Sequence, residues 1–330
     1  MIAEVAHAIP EARQLDLGAR RIPYVQYTPT GEPNGETIEL HHGIGMPPTH
    51  WGEFPQDLAD LGYEVVAFGT AEEHRSALSR ILGSYKVMGK AALRASVMPP
   101  LTPLLWLDAV SQVLDEQRPP LTATLDRYAK DAAVASRAII GKPSHKVGVS
   151  WGGALVQQLG ADYPGETKSV IAAATLPAVP LPLLDLPDRK AVAAIVKPHR
   201  SHTAAGDLYG GDFRDPELLE KYKHMIQIIE RKIQLLPHME QQQALMFGFT
   251  LAWRNVGKVA IGDSSVPTTF LYGDDDPIIP PRMVTLGARI LGADAQCVKG
   301  GGHGFFMSRP KTSAGLVHEI ISQHNHARAA

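Results

Sequence analysis

The stretch that most constrains this chain is GVSWGG at 148–153. A short apolar run, HKVGV (145–149), leads in, and WGGALVQQLGADYP leads out with helical spacing. A strand passing into a helix over a single residue must bend so sharply that side chains two places before and after the bend would strike neighbouring backbone. Gly148 and Gly152 remove those side chains. Ser150 is left on the bend, expected in a strained backbone region with its hydroxyl clear of the sheet. Strand, Gly-x-Ser-x-Gly, helix is the context of a nucleophile elbow. The helix that follows would aim its free N–H groups and the positive end of its dipole at the hydroxyl. An ordinary serine in a glycine-rich turn is the plainer reading, and the flanking strand and helix weigh against it.

The rest of the chain alternates. Strands are expected at 21–28, 36–42, 63–69, 145–149, 168–175 and 266–273, and at AQCVKG (295–300). Between them stand helical patterns: EFPQDLADLGY, with Phe54, Leu58 and Leu61 on one face, then 122–140, 151–164, PRMVTLGARILG and the C-terminal TSAGLVHEIISQH. From about 176 to 263 strand signals vanish. Prolines come first, then long helical patterns such as PELLEKYKHMIQIIERKIQLL. Alternation of this kind predicts an α/β class with a mostly parallel central sheet flanked by helices. The expected organisation is a core of 1–175 and 264–330, an atypical insertion at 70–122, and a helical lid over 176–263.

Composition narrows the function. Lys+Arg number 32 against 34 Asp+Glu, so the net charge of -2 makes no electrostatic case for nucleic acid or anionic lipid. A single cysteine, Cys297, excludes an internal disulfide and points to a reducing, cytoplasmic compartment. The N-terminal residues lack a basic region followed by an apolar one, so no signal peptide is expected. No stretch has the apolar length of a transmembrane helix.

A serine hydroxyl is a weak nucleophile until a base takes its proton. Downstream, LYGDDDPIIPP closes a strand with three aspartates, and GGGHGFF follows the next strand. His303, set among Gly300, Gly301, Gly302 and Gly304, is the expected base. The acid that orients it is expected to be Asp276, which precedes Pro277, with Asp275 as the alternative and Asp274 as a turn residue. Asp185 and Asp188, in the proline-rich start of the lid, fit less well. Two backbone amides must hold an oxyanion. Trp151, after the serine, supplies one, and the loop His42-Gly43-Ile44-Gly45 supplies the other through Ile44. His41, His42 and His50 raise the idea of a metal, but no carboxylate or cysteine stands at ligand spacing, so none is expected. His324-Asn325-His326 reads as a frayed tail, and Cys297 as a buried strand residue.

The elbow and its helix, the HGIG loop, LYGDDDPIIP and GGGHGFF together resemble the α/β-hydrolase superfamily. With YGGDFRDPEL (209–218) added, the chain is most similar to intracellular depolymerases of medium-chain-length poly(3-hydroxyalkanoates). The resemblance covers about the last 190 residues and the early loop. It implies Ser150, Asp276 and His303 as nucleophile, acid and base. It also implies hydrolysis of 3-hydroxyacyl esters without a cofactor, with a polyester or acyl ester as the partner and a polymer granule surface as a possible site of action. Gly43, Met246, Phe249 and Trp253 are the expected substrate contacts, although a helix core is the commoner role for the last three. One region departs: FGTAEEHRSALSR stands where such hydrolases carry an aspartate and a glycine-rich loop after the strand ending at Gly69. The alternatives are an esterase, lipase or thioesterase of soluble acyl esters, an acyl transferase, and a catalytically silent binding module.

Overall fold

The computed structural model describes residues 10–17, 20–43, 46–69, 72–73, 125–178, 217, 220 and 266–329. Its strands are β1 (Arg13–Asp16), β2 (Arg20–Tyr27), β3 (Thr37–His41), β4 (Glu64–Phe68) and β5 (Glu72–Glu73). They continue with β6 (Ser144–Val149), β7 (Thr167–Ala173), β8 (Thr268–Gly273) and β9 (Asp294–Val298). The sheet order is β1-β2-β4-β3-β6-β7-β8-β9, with β5 pairing on β2. The strands from β4 through β9 in this order pair in parallel, while β2 runs antiparallel to β1, β4 and β5.

Helices cover both faces of the sheet, as a parallel sheet requires. On one face lie α1 (Phe54–Asp60) and α6 (Pro310–Ala329), on the other α2 (Leu125–Ile139), α3 (Trp151–Asp162) and α4 (Pro281–Leu291); a short α5 (Phe305–Ser308) precedes α6. Strand alternation divides the core accordingly. Ile38, Leu40, Val147, Ile171 and Leu271 pack with Phe54, Val317 and Ile320. Val170, Ala172 and Phe270 pack with Val156, Val284 and Ala288. The α2–α3 contact uses Ala129, Ala133 and Ala154 beside Leu155 and Leu159. Small residues there let the two helix backbones approach closely.

Several expectations change. Leu61 does not share the buried face of Phe54 and Leu58: it is the C-cap of α1 and 40% exposed. A chain ending its helix there turns the side chain outward before Gly62, whose φ of 91° reverses direction. The C-terminus is no frayed tail. Helix α6 runs to Ala329, and His324 is buried with Nε2 3.0 Å from the Thr269 hydroxyl of β8. Cys297 lies on β9 but is only half-buried, because β9 is the last strand in the sheet order. The charged β1 and two-residue β5 carry too little apolar pattern to be read from sequence. The 70–122 insertion and the lid over 176–263 fall almost wholly outside the described residues. Among the described residues, no helix is long and apolar enough to cross a membrane.

Candidate active site

Ser150 has φ 54° and ψ -118°, a conformation that L-residues with side chains rarely adopt. Backbone bonds on both sides hold it there. Its N–H donates to the Ala173 carbonyl of β7 at 2.8 Å, and its carbonyl accepts from Gly153 N–H at 3.0 Å. The flanking glycines are required by contact. A Cβ on Gly148 would stand 2.1 Å from the Gly152 carbonyl oxygen, and one on Gly152 would stand 1.9 Å from the carbonyl oxygen of His41. Ser150 is half-buried at the N-terminus of α3. Trp151 is the first helical residue, so its N–H has no acceptor within the helix.

Asp276 and His303 meet. Nδ1 of His303 and Oδ2 of Asp276 are 2.9 Å apart, and both residues are buried. The other carboxylate oxygen, Oδ1, accepts from the N–H groups of Ile278 and Ile279 at 2.8 and 2.9 Å. Burial alone would raise the Asp276 pKa; the His303 ring and those two N–H groups outweigh it and hold the carboxyl below the ordinary aspartate value. Its neighbours do other work. Asp274 is exposed and accepts from Gly300 N–H at 2.5 Å, and Asp275 is exposed with its own N–H on the Gly301 carbonyl.

The three residues follow β6, β8 and β9, all at the carboxyl end of the parallel block. The His303 loop turns back across that end. A Cβ on Gly273, the last residue of β8, would lie 2.0 Å from the Gly301 carbonyl oxygen. Beyond His303, Phe306 packs edge-on against Trp51 with ring centroids 5.6 Å apart. Trp51 follows the loop after β3, and Gly43 of that loop sits beside the serine: a Cβ there would lie 3.6 Å from the Ser150 Cβ. His303 therefore stands on an arc that starts over β8 and ends against the segment following the loop beside Ser150.

Of the remaining expected site residues, Ile44, Met246, Phe249 and Trp253 lie outside the described residues. The histidines near the loop have partners. His42 Nδ1 is 2.6 Å from the Gly43 carbonyl, and His41 Nε2 is 3.4 Å from Glu39 Oε2. A carboxylate does accompany His41, contrary to the sequence reading. The two-residue alternation of a strand was the signal for it, and that carboxylate is also bonded by Lys146. Among the described residues, no three His, Cys, Asp or Glu side chains cluster so as to hold a metal ion.

The chain is similar to several known proteins. The chain is 33% identical over 187 residues to a poly(3-hydroxyalkanoate) depolymerase of Ectopseudomonas oleovorans, a match covering 54% of this chain and 60% of that protein. A hydrolase of Pseudomonas aeruginosa PA01 superposes with a TM-score of 0.57 at 18% identity, covering 94% of this chain and 98% of that one. A thermophilic esterase of Thermogutta terrifontis gives a TM-score of 0.57 at 18% identity, covering 95% of this chain and 99% of the other. These two likenesses show the fold. The model of the alpha/beta hydrolase family matches residues 40–315, which include the elbow, the Asp276 turn and the His303 loop, and the chain belongs to that family.

Proposed function

We propose that the protein is a serine hydrolase that cleaves ester bonds of 3-hydroxyacyl polymers or oligomers through an acyl-enzyme. The observation that carries this reading is a serine in a left-handed elbow at one end of a sheet whose same end holds a buried aspartate–histidine pair. In the reaction, Ser150 attacks the ester carbonyl as His303 Nε2 takes its proton. Asp276 fixes the Nδ1–H tautomer and stabilises the imidazolium. The Trp151 and Ile44 amides hold the oxyanion. His303 protonates the departing alkoxide and then activates the water that releases the hydroxy acid.

The substrate class is supported by the 33% identity to a poly(3-hydroxyalkanoate) depolymerase. Gly43, Met246, Phe249 and Trp253 would contact the acyl chain, with the 176–263 segment as a lid over the core and a granule surface as the place of work. The test is incubation with short- and medium-chain polyhydroxyalkanoate granules beside simple p-nitrophenyl esters, with Ser150→Ala as control. Release of hydroxy-acid oligomers that is lost in Ser150→Ala is expected. Turnover of simple esters without attack on any granule would overturn the polymer reading and leave a general esterase.

A further inference from the structure

Beneath the elbow lies a set of buried charges that the reaction does not use. Glu39 on β3 and Lys146 on β6 are opposite each other in the parallel register and are 0% and 1% exposed. Lys146 Nζ donates to Glu39 Oε1 at 2.6 Å. The same oxygen accepts from the hydroxyls of Ser136 on α2, at 2.5 Å, and of Ser144 on β6. The other oxygen faces His41 Nε2. Burying a charge pair in a sheet is costly unless every lone pair is used, and apolar residues of similar volume often serve stability as well. Stability alone therefore gives little reason for this pair.

Its position gives a better one. Two pairs further along the same register, His41 stands opposite Gly148. The His41 carbonyl oxygen is the atom that a Cβ on Gly152 would strike. His41 leads into Gly43 beside the serine, and Gly148 leads into Ser150. We propose that the Glu39–Lys146 pair, with Ser136, Ser144 and His41, is a positioning device. It locks β3 to β6 so that the loop after β3 and the elbow after β6 keep a fixed separation. On the hydrolase reading, that separation is the one between Ser150 and the oxyanion donor expected from the loop after β3, so the kinetic part of the test rests on that reading. Glu39 and Lys146 touch no substrate and act through the two loops.

The test compares wild type, Glu39→Gln, Lys146→Met and the double variant, with Ser144→Ala as a milder variant should a single charge deletion fail to fold. Amide hydrogen exchange in 40–43 and 148–153 is expected to rise about tenfold or more in the single variants, with 283–291 in α4 unchanged. The double variant leaves no buried charge unpaired, so it should recover global stability in a denaturant melt yet keep the raised exchange in both segments, because the bond from β3 to β6 is still missing. On a p-nitrophenyl ester, kcat should fall about tenfold or more with KM within about twofold. Folded variants that exchange at the wild-type rate in both segments would overturn the proposal, and so would a rise spread evenly over the whole protein. If wild type itself shows no turnover dependent on Ser150, the hydrolase reading fails, and the exchange measurement still decides the inference.

Discussion

A methyl group at position 152 would meet the His41 carbonyl oxygen at 1.9 Å and the His42 carbonyl oxygen at 2.7 Å, both backbone atoms rather than the ends of flexible side chains. Gly152→Ala is therefore expected to cost about 3 kcal/mol or more, the upper end for overpacking, in a denaturant melt. The Asp276 carboxyl makes a second prediction at this scale. Its pKa in the folded protein is depressed, so its ionised form adds stability that is fully present above the unfolded value of about 3.9. That contribution disappears as pH falls through the lower folded value. Stability measured against pH should drop more steeply in wild type than in Asp276→Asn below about pH 4; parallel curves would show that the carboxylate gains nothing from His303. At this scale much could be read from sequence, because a nucleophile bend and a loop histidine need particular residue types. Among Asp274, Asp275 and Asp276 the sequence offers only Pro277 and the family resemblance to favour the last; the structure separates them by burial and by partner.

At the level of elements, the long strands and helices of the core were legible because each carries an apolar period that matches its place between two helical layers. Contacts between residues distant in sequence were not. Nothing near His324 signals that Thr269, on β8, takes its Nε2. Helix α6 is tied down at a second point as well, where Tyr63 and His318 Nδ1 lie 2.9 Å apart just ahead of β4. Together the two bonds clamp the last helix across the sheet. Thr269→Val keeps the shape and deletes one of them, and is expected to cost about 1–3 kcal/mol, the penalty for a buried polar group losing a partner. An unchanged melting midpoint would show that the bond does not hold α6. The Glu39 network escaped the sequence reading for the same reason: Lys146 and Ser136 are far along the chain, and it is the parallel register of β3 and β6 that brings the first to Glu39 and the packing of α2 that brings the second.

For the whole molecule, the parallel sheet gathers at its carboxyl end residues from the middle and the far end of the chain, which is where open α/β sheets bind ligands. The family is shown by a match running from residue 40 to 315, and the substrate is a matter for the granule experiment. The central claim is narrower: a hydroxyl made nucleophilic by the His303–Asp276 pair. Intact-mass and peptide mapping after treatment with a fluorophosphonate tests it most directly. The account predicts a single adduct on Ser150, absent in Ser150→Ala and formed about 10²–10⁴-fold more slowly in His303→Gln. A folded protein that takes no adduct, or one that His303→Gln labels at the wild-type rate, would contradict it.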